Sequence, residues 1–315
     1  MDNSQYVLTC CFLDVGQGTS QVILLDKQRA IVVDTGVHPS QVHNFLLNND
    51  IKIIELLILS HNDKDHIGGV KNLINTYKAN IKKIGFLCDR PPKDNKLLSM
   101  LKNEKKSKLE YKLVRLETES NDEKKLLFRE GNTSLFVMYP DFKSNINYKK
   151  NAACAIVSLE VGSQKVIFSG DALVGGWKYV VDNYGKQSVQ ILTVPHHGSS
   201  NFADNEEDYK YFFENIETQY AIISVGYNNR YGHPVKEIIQ SYVKKGTEIF
   251  CTQSNQICNP KTATANKSYL SCEIDITCCS NIEADIGVNR TEINNIERLR
   301  ECKERFPNRL CKSIE

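Results

Sequence analysis

Between positions 57 and 69 the chain reads LILSHNDKDHIGG, so that His61, Asn62, Asp63, Lys64, Asp65 and His66 stand in a row. Imidazole and carboxylate groups at this density are the ligands that hydrolytic two-metal sites use. Two later motifs repeat these side chains: PHHG brings His196 and His197, and GHP brings His233. Asp171, in FSGDAL, adds a carboxylate able to offer one oxygen to each of two ions. Two divalent ions roughly 3.5–4 Å apart can hold a bridging hydroxide as nucleophile and steady a leaving oxygen. Taken singly, a strand-end histidine is usually a surface or capping residue, and a Gly-Asp pair carries no information. The three motifs together account for five of the seven histidines, which points to a metal site. His38 and His43 join no cluster and read as ordinary surface or helix residues.

Such ligands need rigid supports, and each motif follows an apolar run. Strands are expected at 7–13, 21–25, 30–33, 53–59, 134–139, 152–161, 165–168, 189–194, 220–226 and 248–251. Helices are expected at 40–47, 70–77 and 173–182, with another from 235. The alternation predicts an α/β protein. Residues 91–150 are charge-dense and read as a helical, loop-rich variable insertion, the natural seat of substrate specificity. Residues 1–255 then form the main domain, and 256–315 a cysteine-rich extension packed on or beside it, with a strand at 268–277 and a helix at 292–303.

The bulk composition excludes little. With 315 residues, 41% hydrophobic and 25% charged, the chain can bury a sizeable core. A net charge of +2 gives no global attraction to nucleic acid, so any polyanion must meet a local patch. Lys102, Lys105, Lys106, Lys108, Lys149 and Lys150 could supply one, although solvated lysines interleaved with Glu104 and Glu110 are an equal reading. No run reaches the roughly 18–20 apolar residues of a membrane span, and no signal peptide is visible. A cytoplasmic protein with no membrane partner is the expectation. Seven of the eleven cysteines fall between Cys251 and Cys311; reduced thiols packing as small hydrophobes are expected there, since no C-x2-C pair suggests zinc.

The motifs FLDVGQG, VVDTG, LSHNDKDHIGG, FSGDAL, VPHHGSS and SVGYNNRYGHP, in that order, resemble the metallo-β-lactamase superfamily, and within it the soluble domain of ComEC-type competence proteins. The resemblance spans about residues 8–255. It implies a four-layer αββα sandwich with two divalent ions, zinc or manganese, at one edge. One ion would be held by His61, Asp63 and a histidine of PHHGS, with His197 favoured. The other would be held by Asp65, His66 and His233, with Asp171 shared. His196 would then donate to a phosphate oxygen or a developing oxyanion, and Lys64 would touch the scissile phosphate. Asn151, Tyr227, Arg230 and Tyr231 are the expected substrate contacts.

Three positions depart from the usual pattern of that group or superfamily. Asp63 replaces a second histidine and shifts preference from zinc toward manganese. Thr19 stands where an acid is common, and Cys154 where serine is common. The implied reaction is phosphodiester hydrolysis of nucleic acid, DNA first, by a stand-alone effector such as an anti-phage nuclease. Without the transmembrane channel of ComEC, DNA uptake is not expected of this chain. The alternatives are a small phosphodiester, either a cyclic nucleotide or a phosphocholine-type ester, and a non-catalytic metal-binding subunit docked on an ATPase or sensor protein.

Overall fold

Period-two alternation in β1 (Tyr6–Phe12) sends Leu8, Cys10 and Phe12 to one face of a sheet and Cys11 to the other. In β3 (Arg29–Val33), Ile31 and Val33 share the first face while Ala30 and Val32 share the second. Strands apolar on both faces must be covered on both. The computed structural model, which describes residues 6–88, 97, 99–101, 111–119, 123–145, 151–226, 229–253, 270–278 and 285–292, covers them in four layers.

The first sheet runs β15-β14-β1-β2-β3-β4-β5-β6, adding β2 (Gln21–Leu24), β4 (Ile53–Ile58), β5 (Lys83–Phe86), β6 (Lys112–Arg115), β14 (Leu270–Cys278) and β15 (Asp285–Glu292). The second runs β13-β12-β11-β10-β9-β8-β7. Its strands are β7 (Lys125–Glu130), β8 (Thr133–Tyr139), β9 (Ile156–Val161), β10 (Gln164–Phe168), β11 (Gln187–Thr193), β12 (Ile216–Ile223) and β13 (Glu248–Cys251). Between them lies a core joining Phe12, Ile31 and Ile58 to Val157, Phe168 and Ile191, with the Phe12 and Phe168 rings 6.4 Å apart.

Helices Pro39–Asn48 and Val70–Tyr77 cover the outer face of the first sheet with Val42, Leu46, Leu73 and Ile74. Helices Val174–Tyr184, Glu206–Asn215 and Lys236–Lys244 cover the second with Trp177, Phe212 and Ile238. The fold is therefore the αββα sandwich that the resemblance implies. Strands β3 to β6 run parallel, as do β10 to β13, so the chain leaves several strands at their carboxyl ends. Those ends carry the site.

Four expectations change or sharpen. Within 91–150 the described residues include the expected strand as β8 and the short helix Phe142–Asn145, but also β6 and β7, which pair into the first and second sheets where no strand is expected. Part of the carboxyl-terminal extension joins the first sheet, where β14 pairs antiparallel with β1. Glu292, expected to begin a helix, ends β15. Cys251 is disulfide-bonded, against the expectation of reduced thiols, whereas Cys10, Cys11, Cys88 and Cys154 form no disulfide. The six lysines of the suggested patch lie outside the described residues. Among the described residues, no helix is long and apolar enough to cross a membrane.

Candidate metal centre

Strand β4 ends at Ile58, and His61 follows three residues later. Asp65 and His66 sit on the short helix Lys64–Ile67. The backbone of this loop is held from two sides. The Thr19 amide donates to the Asp65 carbonyl (3.1 Å), and the Thr35 amide and hydroxyl donate to the His66 carbonyl at 2.6 and 2.9 Å. Thr19, where an acid is common, thus supports the loop through its main chain.

The glycine pair permits this close approach. A Cβ on Gly68 would lie 2.2 Å from the Val37 carbonyl oxygen and 2.8 Å from that of Gly36, both backbone atoms with no room to yield. Gly68→Ala is therefore expected to destabilise the fold by about 1–3 kcal/mol, the usual cost of overpacking. Chemical denaturation would read this as a lower midpoint.

Asp171 follows β10 through Gly170, and its two oxygens face different histidines. Oδ2 lies 3.6 Å from His61 Nε2 and 3.7 Å from His196 Nε2. Oδ1 lies 3.2 Å from His66 Nε2 and 3.4 Å from His197 Nε2. The acids complete each side: Asp63 Oδ2 is 3.9 Å from His61 Nε2, and Asp65 Oδ2 is 3.4 Å from His197 Nε2. His61, His66 and Asp171 form one close group of potential ligands, and Asp65, His66 and His197 another.

The PHHG turn explains why neighbouring histidines serve opposite sides. His196 (φ 50°) and His197 (φ 56°) are both left-handed, a conformation non-glycine residues rarely adopt outside constrained sites. Their rings diverge, with centroids 6.4 Å apart. The His196 amide donates to the Gly170 carbonyl at 3.0 Å, tying this turn to the loop that carries Asp171.

Outer partners orient the rings. The Ser224 carbonyl can only accept, so His197 carries a proton on Nδ1, 2.7 Å away, and Nε2 is the atom turned toward Asp65 and Asp171. Nδ1 of His66 donates to Asp34 Oδ2 at 2.7 Å. Asp34 is fully buried and left-handed (φ 58°), and it also accepts from the Ser60 amide (2.8 Å) and hydroxyl (2.5 Å). Sequence reasoning leaves Asp34 of VVDTG without a task; the signal for it is an acid that closes the apolar run 30–33.

A divalent ion fits these donors. Nε2 of His61, His66 and His197 and Oδ1 of Asp171 are buried and converge, yet none makes a well-formed hydrogen bond. Buried polar atoms left so are costly unless something else satisfies them. Burial depresses the His61 imidazole, with help from neighbouring His66, to about 4. Burial also opposes charge on His66, but the carboxylates of Asp171 and Asp34 outweigh it and hold its pKa well above the usual value.

A cation must therefore displace a proton from His66, whereas His61 is already neutral at pH 7. Apparent metal affinity is expected to rise with pH, by up to about tenfold per unit, until the pKa of metal-free His66 is passed. Calorimetry in buffers of different ionisation enthalpy would measure the released proton.

The grouping differs from the sequence expectation. His197 stands with Asp65 and His66, in the place expected for His233, while His196 faces the His61 side. His233 belongs to neither close group; its ring centroid is 6.2 Å from that of His196, and it stacks on Tyr231 (5.9 Å, 12° between planes). Asn151, also left-handed, places Nδ2 3.4 Å from His196 Nε2. Lys64 is exposed beside Asp65. Arg230 and Tyr231 lie at the rim, and Tyr227 is outside the described residues. Cys154 is buried under the site, where its Sγ accepts from the Asp171 amide at 3.0 Å and lies 3.7 Å from His61 Nδ1.

The family model of the metallo-beta-lactamase superfamily matches residues 13–105, which include the HNDKDH loop. The chain is 28% identical over 264 residues to ComE operon protein 3 of Bacillus subtilis, covering 77% of this chain and 31% of that protein. It is 24% identical over 239 residues to competence protein ComA of Neisseria gonorrhoeae, covering 73% of this chain and 29% of the relative. The chain thus spans about three tenths of the length of these curated relatives. Similar solved structures include the metallo hydrolase Igni18 of Ignicoccus hospitalis, with TM-score 0.49, 12% identity, and coverage of 77% of this chain and 94% of that one. The short form of human tRNase Z has TM-score 0.47 and 12% identity, over 77% of this chain and 95% of that one. The HNDKDH loop, Asp171 and the PHHG histidines gather at the edge of an αββα sandwich, in a chain whose residues 13–105 match the metallo-beta-lactamase superfamily model.

Proposed function

We propose that this protein is a phosphodiesterase with two divalent ions at its centre, and that its substrate is DNA. One ion is assigned to His61, Asp63, His196 and Oδ2 of Asp171, the other to Asp65, His66, His197 and Oδ1 of Asp171. The observation carrying this assignment is the split of Asp171, whose oxygens each face their own pair of imidazoles within 3.7 Å. Three carboxylates make the set rich in oxygen, which suits manganese as well as zinc.

Bound there, divalent cations supply charge neutralisation for a phosphodiester and lower the pKa of water enough for attack at neutral pH. The protein's part is preorganisation. Asp34 and Ser224 hold His66 and His197 as Nε2 donors, so their rings need no rearrangement when substrate arrives. Asn151 beside His196 and the exposed Lys64 are placed to meet the non-bridging phosphate oxygens. Arg230, exposed at the rim, adds a second cation on the approach. The similarity to competence proteins supports DNA as the polymer, and a stand-alone nuclease effector is the role we assign.

The test is cleavage of labelled single- and double-stranded DNA by purified protein with Mn²⁺, Mg²⁺ or Zn²⁺, beside Asp65→Ala and His66→Ala. Metal-dependent cleavage lost in both variants is expected. Hydrolysis of a cyclic nucleotide or a phosphocholine ester, with DNA left intact, would refute DNA as substrate while retaining the phosphodiesterase chemistry.

A further inference from the structure

Tyr231 is 54% exposed, yet its ring is held in a defined place. On one side it lies parallel to His233, with 12° between the planes. The Arg230 guanidinium stands over the ring 5.0 Å from its centroid, and its Nη2 donates to the Tyr231 hydroxyl at 2.9 Å. The loop beneath is locked by Asn229. Its Nδ2 donates to the Gly226 carbonyl (3.0 Å) and the His233 carbonyl (2.7 Å), while its Oδ1 accepts from the His233 amide (2.9 Å). An aromatic ring fixed this firmly but left in water adds little to the core; its place suits a partner with a flat face.

The position gives that partner an identity. His233 is the next step inward, its ring 6.2 Å from that of His196, whose Nε2 is 3.7 Å from Asp171. Arg230, Tyr231, His233 and His196 thus form a staircase of planar groups from solvent to the carboxylate at the heart of the site. Planar cations and aromatic rings in a row are what single strands stack on. In a duplex the base faces are covered by their neighbours, so only an unstacked base can use this surface.

We infer that the Arg230–Tyr231 pair is a stacking platform for an unpaired nucleobase flanking the scissile phosphate, and that the substrate is single-stranded nucleic acid. The inference rests on the phosphodiesterase reading for its placement of the phosphate. Arg230 gives the platform a second use, because a guanidinium that caps a base can also contact the adjoining phosphate.

The experiment separates binding from cleavage. Chelator-treated wild type, Tyr231→Ala and Tyr231→Phe would be titrated with a fluorescent single-stranded oligodeoxythymidylate, with the same strand carrying consecutive abasic sites, and with a duplex of equal length. Tyr231→Ala is expected to bind the intact strand about tenfold more weakly than wild type, the scale of one base–aromatic stack. Tyr231→Phe should bind as wild type does, and wild type and Tyr231→Ala should bind the abasic strand equally weakly. Equal affinity of wild type and Tyr231→Ala for the intact strand would overturn the inference. So would an equal loss on the abasic strand, or wild-type binding of the duplex as tight as of the single strand. Stacking of the expected size with no cleavage under any ion would leave the platform standing and refute the phosphodiesterase reading instead.

Discussion

Asp171→Ala is expected to abolish phosphodiester hydrolysis, with a loss on the order of 1,000-fold or more, while the chain stays folded. The size follows from the site. One side chain faces both ligand sets, so its removal weakens both at once, whereas losing Asp63 or Asp65 weakens one. Metal ions contribute several kcal/mol to stabilising phosphoryl transition states, and about 1.4 kcal/mol is a factor of ten. Folding should survive because the carboxylate is held among like-needing groups rather than by apolar packing. Burial disfavours its charge, and only the histidines around it, His197 and His66 first, keep its pKa well below the usual range. Steady-state kinetics with saturating ion, alongside circular dichroism, would check both halves. Residual activity within tenfold of wild type would show that Asp171 is not the shared ligand.

Asp34→Asn is expected to weaken metal binding by about 10–100-fold, the usual consequence of removing a carboxylate that orients a ligating histidine. Asn is the informative replacement, since it tolerates the left-handed backbone at this position better than most residues. It keeps the volume of the buried side chain but removes its charge. Nδ1 of His66 then loses its anionic partner, and the ring loses the bias that points Nε2 at Asp171. The raised pKa of His66 depends partly on Asp34, so it should fall in the variant. Competition with a chromogenic chelator would measure affinity, and its pH dependence should become shallower around neutrality. Alanine at this position would add a stability loss of about 3–5 kcal/mol, because a buried hydrogen-bonded partner is removed outright.

Much of this candidate centre is legible in the amino-acid sequence because its potential ligands sit next to their supports. HNDKDH follows β4 almost directly and Asp171 follows β10 within a few residues, so an apolar run ending in ligands announces both. What the chain order does not carry is the pairing. Whether His197 or His233 stands with Asp65 depends on two consecutive left-handed residues at positions 196 and 197, a backbone choice that no periodicity encodes. Asp34 is hidden because it acts through His66 rather than within the ligand cluster itself.

Three of the outer strands, β6, β7 and β15, are hidden for another reason. β6 and β7 are edge strands with partly exposed faces, so KLVR and KLLFRE mix charge with apolar side chains and read as a solvated insertion. β15 (DIGVNRTE) is an edge too, polar enough to pass for a loop before a helix. Strands buried on both faces declare themselves to within a few residues. Edge strands that mix charge with apolar side chains do so less well, although β13, also at an edge, falls where it is expected.

The most direct measurement is the number of divalent ions per folded chain. Native mass spectrometry of wild type reconstituted with zinc or manganese is expected to show two bound ions, with Asp171→Ala retaining fewer under the same conditions. A folded wild-type chain that holds one ion or none, or an Asp171→Ala chain that still holds two, would contradict a dinuclear centre shared through Asp171.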